Sequence, residues 1–369
     1  MAKIYDIAIL GATPAGWAAA YRLAGKGLDV IVVSAPSQAV VECPLTDWAP
    51  RELFKLDALP EDLHQQAHAE DFRRVYYHNA PLERSVDYLA RQTAGSFIPY
   101  RQLNRAMKAA ATGEGAKFRI ADRLPDIRLA EDRVHLGGPL QIQAQFLLIA
   151  QSRPADIIGD LALPMRTVPY SSLVVAGLDV PIPNSPPKEL EGAMHVVEMP
   201  ERSELGMYYQ AGGMLHLRVI SSSSAAGNRA NELSNMVAGL QAKELVGQEL
   251  TLNKAQGAVW HPPAGVAMEL ETHVAKRCVL VGTAGGFCES ITGHTLYPSV
   301  RTALLAADVA ERALNSNTPQ DTLMEFKQEW RNALADYLRP PNTSLHMLLP
   351  LLFANERIVS KFTRALLYG

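Results

Sequence analysis

The 369-residue chain is predicted to adopt an α/β fold, on three observations. A buried-strand run, Tyr5–Leu10, passes through Gly11-Ala-Thr-Pro-Ala-Gly16 into a helix over Trp17–Gly27 and a second apolar strand over Leu28–Val33. A late apolar run, Val279–Val281, stops at Gly282, passes Gly285, Gly286 and Gly293, and enters an alanine-rich helix over Val300–Leu314. Between them lie short alternating runs bounded by turn residues, the pattern of a β-rich insertion.

The first unit, strand, glycine turn, helix and strand, is the start of a dinucleotide-binding βαβ motif. Glycines there let bare backbone N–H groups and a helix N-terminus face a phosphate. Gly11 and Gly16 keep the outer positions of Gly-x-Gly-x-x-Gly, whereas Thr13 stands at the middle one, where a β-branched residue pushes a phosphate outward. Ser34 ends the second strand, where a carboxylate would bind ribose hydroxyls more strongly than a serine can. Gly11, Thr13, Ala15, Gly16 and Ser34 are the cofactor-binding candidates of this half.

Gln38–Leu59, with Pro44, Trp48 and Pro50, is expected to be irregular. His64, His68 and His78 lack ligand spacing with nearby carboxylates, so no metal site is expected. Val75–His78 and Ser85–Leu89 suit strands of a second sheet, and Phe97–Met107 opens a helix carrying Arg101. Four short strands are expected between Phe118 and Ile149. Met165–Met268 is the expected substrate domain, with a hairpin around Gly212-Gly213 whose Tyr208, Tyr209, His216 and Arg218 face a pocket or a solvated surface. Asn231–Leu245, Phe326–Tyr337 and Leu345–Leu367 have helical periodicity, and Leu348–Phe353 is unusually apolar. That run suits core, a subunit contact or the wall of an apolar substrate site.

The late stretch resembles the flavin motif of the family containing aromatic hydroxylases, flavin-dependent halogenases and geranylgeranyl reductases. In that family a strand leads to Gly-Asp-Ala-Ala-Gly-Phe, then Thr-Gly-x-Gly and a helix. Gly282, Ala284, Gly285, Phe287, Thr292, Gly293, Ala303 and Ala307 match. Thr283 stands where the family carries an aspartate toward the ribityl and pyrophosphate part of the flavin, and Thr295 replaces the second glycine. Arg101 matches the arginine that reaches the pyrophosphate, and Gln151 replaces the aspartate of an Ala-Asp-Gly signature.

The resemblance implies a Rossmann-like FAD-binding domain of the para-hydroxybenzoate hydroxylase type, with an inserted β-rich substrate domain and C-terminal helices. Residues 1–70, 97–160 and 269–320 would form the FAD domain, 71–96 and 161–268 the substrate domain, and 321–369 the helical segment. Thr13, Ser34, Gln151 and Thr283 depart from cofactor-recognising residues, so FAD is expected to bind weakly and noncovalently. No second βαβ unit is evident, which leaves NAD(P)H as a transient reductant. Halogenation is disfavoured because Trp17, Trp48, Trp260 and Trp330 form no Trp-x-Trp motif.

Two functions remain open at this point. One is an FAD-dependent oxidoreductase of monooxygenase or reductase type, acting on a small, large or peptidyl substrate. The other is a catalytically silent relative serving as an accessory or binding protein. In the first, His261 and His294 flank the flavin site in sequence and are the acid–base candidates. A net charge of −3 argues against nucleic acid, and no apolar run reaches transmembrane length. The first residues enter a strand at once, so a cytoplasmic location is expected. Three cysteines without CxxC spacing suit packed thiols, Cys278 in a strand and Cys288 inside the glycine stretch.

Overall fold

The structure, a computed structural model, describes residues 3–34, 46–80, 82–151, 173–182, 188–199, 205–222, 229–246, 258–339 and 345–368. Cys43, Ser152 and the loop expected around Gly227 lie outside the described residues. The N-terminal unit runs β1 (Ile4–Leu10), α1 (Pro14–Ala24) and β2 (Val30–Ser34). Next come β3 (Thr46–Pro50), β4 (Glu70–Phe72), β5 (Arg74–His78), β6 (Ser85–Leu89) and β7 (Gly95–Pro99). These are followed by α2 (Tyr100–Gly113), β8 (Lys117–Ile120), β9 (Ile127–Leu129), β10 (Val134–Leu136) and β11 (Ile142–Ile149).

The insertion contributes β12 (Leu173–Pro181), β13 (Ala193–Glu198), β14 (Leu205–Ala211), β15 (Met214–Ser222), α3 (Arg229–Ala242) and β16 (Ala258–Trp260). The late stretch supplies β17 (Val274–Ala275), β18 (Cys278–Leu280) and α4 (Leu296–Leu314). Four helices follow: α5 (Pro319–Met324), α6 (Phe326–Leu338), α7 (Leu345–Leu352) and α8 (Glu356–Tyr368).

The central sheet has the parallel order β18-β11-β1-β2-β8. From β1 the chain builds outward to β2 and β8, then returns to the other side as β11 and β18. The direction of winding therefore switches between β1 and β11, where open α/β sheets place their ligands. Helix α1 packs against β1, α2 and α4. Trp17, Ala18, Ala19 and Ala20 are fully buried, so the small side chains let three helices crowd onto one sheet.

A seven-stranded sheet runs β16-β12-β15-β14-β13-β5-β6, and a three-stranded one runs β3-β7-β4. The expected hairpin turns at Gly212 and Gly213, both at positive φ (58° and 73°). Its two faces enter different cores: Tyr209 joins Phe97, Trp48 and Trp260, while Tyr208 packs with α3 residues such as Leu240. A solvated face is thereby replaced by burial on both sides.

Three local expectations need correction. Thr46–Pro50, inside the stretch expected to be irregular, is a strand paired along its length with β7. Phe97–Pro99 belong to β7, so the helix carrying Arg101 starts at Tyr100. The strand around Phe118 leaves the expected meander and pairs in parallel with β2. Among the described residues no helix is long and apolar enough to cross a membrane.

Two imidazoles, the buried His195 and the half-buried His78, meet where β5, β13 and β14 come together. His195 Nε2–H donates to the Glu189 carbonyl at 3.0 Å, its Nδ1 lies 3.0 Å from His78 Nε2, and the Tyr208 ring stacks on it at 4.3 Å. Burial lowers His78 from 6.5 to about 4 and His195 to about 3. Both rings therefore stay neutral in the folded protein while the same histidines in the unfolded chain take up protons. Their stabilisation is complete above pH 6.5 and is lost as pH falls toward about 4. The urea midpoint is expected to drop between about pH 7.5 and about pH 5, and His195→Gln should weaken that dependence. An unchanged dependence in the variant would show that His195 carries its proton in the fold.

Candidate functional site

The two glycine turns meet at the switch point. Gly11 has φ +121°, and a Cβ there would lie 2.6 Å from the Ala150 carbonyl carbon, at the end of β11. A Cβ on Gly16 would lie 2.0 Å from the Gly11 oxygen, so α1 starts in direct backbone contact with the end of β1. Thr13, at the middle glycine's position, is the N-cap of α1. Its Oγ1 accepts from Gly16 N–H at 3.2 Å and donates to the Ala150 carbonyl at 3.0 Å, tying α1 to β11.

Gly282 reaches the same place from the other end of the chain. Its φ is +59°, and a Cβ would sit 3.2 Å from Ala15 Cβ. Gly282 N–H donates to Thr302 Oγ1 at 3.1 Å, while the half-buried Thr283 opens a short turn through Gly285. His273 holds that turn: its Nε2–H donates to the Gly285 carbonyl at 2.9 Å, and its ring stacks on Phe287 at 4.6 Å. Burial lowers His273 to about 3, which keeps it a neutral donor.

At the meeting of the two glycine turns, the described residues show no protein acceptor for the N–H groups of Ala15 and Thr283. Ser34 is half-buried at the end of β2. Arg101 is exposed on the first turn of α2 with no ion pair among the described residues.

The later part of the motif is arranged by a carboxylate that the sequence reading did not single out. Glu289 is buried and accepts from Ile291 N–H (2.6 Å), Thr292 N–H (2.7 Å) and the Thr292 hydroxyl (2.7 Å). Burial pushes its pKa up, against those hydrogen bonds. Thr292 is thus engaged with Glu289. Gly293, at φ +75°, lies against Pro262, whose Cγ would be 2.7 Å from a Cβ. A single carboxylate inside the glycine stretch was the available signal.

His294 is fully buried and stacks on Trp48 of β3, with ring centroids 4.4 Å apart. Its Nε2 accepts from Tyr297 N–H at 3.1 Å, and its Nδ1 faces the Asp47 carboxylate at 3.7 Å. His261 is exposed just after β16, next to the buried Pro262. The structure therefore brings Thr292, Gly293 and His294 together with Trp48, and leaves His261 at the surface.

Between this loop and the seven-stranded sheet lies a cavity of about 30 Å³, walled by Trp48, Tyr209, Arg218, Trp260 and His294. Arg218 is buried; its Nη1 donates to Asp179 at 2.6 Å, and its guanidinium lies over Trp260 at 5.7 Å. Although burial opposes it, hydrogen bonding from His216 and the Arg218 charge hold Asp179 below the usual carboxylate range. Arg218 Nε and His294 Nδ1 have no hydrogen-bond partner, a cost of about 1–3 kcal/mol for each such buried group.

These observations test the fit of a flavin dinucleotide. The diphosphate end fits: glycine turns converge and backbone N–H groups there are open. The cavity walled by Trp48, Tyr209, Arg218, Trp260 and His294 is itself far below the roughly 300–1,000 Å³ of small-molecule pockets. Among the described residues there is no cluster of histidine, cysteine, aspartate or glutamate able to hold a metal. Cys278 and Cys288 are buried, and burial pushes both thiols up, which makes them packing groups.

With 13% identity and a TM-score of 0.76, the chain aligns over 99% of its length with 97% of a geranylgeranyl bacteriochlorophyll reductase-like protein from Thermoplasma acidophilum. It aligns likewise with the flavin-dependent halogenase CmlS (TM-score 0.72, 13% identity, 94% of this chain and 68% of CmlS). The chain has the fold of geranylgeranyl reductase-like proteins and flavin-dependent halogenases. A mutant of the halogenase PltM in complex with FAD shares it too (TM-score 0.72, 14% identity, 98% of this chain and 79% of PltM). In sequence, the chain is 22% identical over 193 residues to the digeranylgeranylglycerophospholipid reductase of Methanosarcina acetivorans. That match spans about half of each protein, 49% of this chain and 47% of the reductase. No protein-family profile matches the chain.

Gly16→Ala is expected to lower the unfolding free energy by roughly 2 kcal/mol or more, since backbone must move to admit a methyl group. Gly113→Ala, where nothing lies within 4 Å, is the control and should be neutral or stabilising. Equal urea midpoints for the two variants would show that the turn relaxes freely around position 16.

Proposed function

We propose that this chain is an FAD-dependent oxidoreductase of monooxygenase or reductase type. The observation that carries the proposal is the meeting of Gly11, Ala15 and Gly16 with Gly282 at the switch point of a parallel sheet. In this reading Gly11, Thr13, Ala15 and Gly16 form one wall of the diphosphate site and Gly282, Thr283 and Gly285 the other. Ser34 takes a ribose hydroxyl, and Arg101 neutralises the diphosphate. Thr292 and Gly293 shape the loop on the ring side. The similar proteins bear the names of reductases and halogenases, which favours an enzyme over a silent relative.

When bound, the flavin supplies the redox chemistry, and the protein positions it and excludes water. His294 is fixed by Tyr297 N–H and serves best in orientation, whereas the exposed His261 is placed to exchange a proton with substrate or solvent. NAD(P)H is the transient reductant in this scheme, and the substrate approaches along the seven-stranded sheet. Leu349 and Leu352 of α7 pack into the same core as Trp260 and Tyr209, so this part of the apolar run serves as core.

Affinity is low in this reading because Ser34 and Thr283 replace carboxylates, and each charged hydrogen bond lost costs about 1.5–3 kcal/mol. Titration with FAD should show binding that Arg101→Ala weakens about tenfold or more, without a change in urea midpoint. Thr283→Asp should tighten it. Wild-type protein that leaves the absorbance of added FAD unchanged and retains none on gel filtration would defeat the proposal.

A further inference from the structure

The apolar run of α7 is divided between two surroundings. Leu349 and Leu352 enter the core that also takes Val359, Phe362, Leu366 and Leu367 of α8. Met347, Pro350 and Leu351 lie on the opposite side of the helix, spaced by three and four residues, and all three are exposed. Met347 is 68% exposed and Leu351 46%. Large apolar side chains on adjacent turns of one helix form a patch, unlike single hydrophobic residues scattered over a surface.

The helix that follows adds charge of one sign. On α8, the exposed Arg357, Lys361 and Arg364 are spaced by four and three residues, so they share the face opposite the buried Val359, Phe362 and Leu366. None of the three has an ion pair among the described residues, and Glu356 is the single carboxylate of the helix. The whole chain carries a net charge of −3, so this basic stripe runs against the overall balance. Because α7 and α8 turn their buried faces to one core, the apolar patch and the basic stripe both look away from it.

We propose that these two exposed faces are a docking surface for an anionic phospholipid bilayer. Met347 and Leu351 enter the boundary between headgroups and acyl chains, and the three cations of α8 meet lipid phosphate above it. Each half supplies what the other lacks: a small apolar patch alone gives weak, reversible attachment, and cations alone are released by salt. The chain rests on the bilayer and does not cross it. A second copy of this chain suits the surface less well, because a two-fold contact through this face brings one basic stripe near the other. Attachment of this kind is independent of whether the cleft holds FAD.

Sedimentation with vesicles tests the surface, using the full chain and two lipid mixtures: phosphatidylcholine alone, and phosphatidylcholine with about a third phosphatidylglycerol. Wild-type protein should partition onto the anionic vesicles about tenfold or more strongly than onto the neutral ones, and added salt should shrink the difference. Combining Arg357→Gln, Lys361→Gln and Arg364→Gln should remove that preference. Met347→Ser with Leu351→Ser should weaken binding to the anionic vesicles about tenfold although the cations remain. All five positions are exposed, so both variants should keep the wild-type urea midpoint. Equal partition of wild type and either variant onto anionic vesicles, or no partition of wild type, would overturn the proposal. Loss of a dimer on gel filtration in the serine variant, with vesicle partition unaltered, would overturn it too and assign the face to a second copy of this chain.

Discussion

The contact on which the cleft depends is backbone on backbone: the start of α1 against the end of β1. With a would-be Cβ on Gly16 only 2.0 Å from the Gly11 oxygen, no other residue type lets the helix begin there. That closeness sets the height of α1 above the sheet and brings Ala15 to Gly282. It also explains the run of alanines through α1, because a helix seated so low has α2 and α4 pressed on its flanks. Ion pairs from Arg22 and Lys26 to Asp308 decorate the rim of the same packing, where solvent screening leaves them little energy.

Thr13 shows how a departure from a motif can be a structural solution. A glycine at that position leaves the helix start bare for a ligand. A threonine caps the helix by itself and spans to Ala150, so the turn is complete without a bound phosphate. Thr302 does the same for Gly282. The cleft is therefore built to hold its shape alone.

Much of this was legible from the residues. The glycine turns, the strands that feed them and the hairpin at Gly212-Gly213 are local features, each written in a short stretch with its own period or turn chemistry. What escaped is non-local. Thr46–Pro50 carries a threonine, an aspartate and a proline in five positions and has no strand-like alternation. It is a strand because β7 offers a partner, and its Trp48 stacks on His294 of the late loop. Glu289 and His273 escaped for the same reason, since their roles exist only once the glycine loop has curled around them. Arg218 was noted as a side chain on an alternating strand, yet its pairing with Asp179 depends on β12 arriving beside β15.

The small sheet β3-β7-β4 joins two places that are otherwise far apart in the chain. Trp48 projects from β3 toward the late loop, while β7 runs without a break into α2, whose first turn bears Arg101. Phe97 of β7 is further sandwiched between Phe72 and Tyr209, so the ladder has little freedom to shear. Trp48 and Arg101 are therefore carried by one ladder, so a substitution that displaces Phe97 is expected to disturb the positions of both.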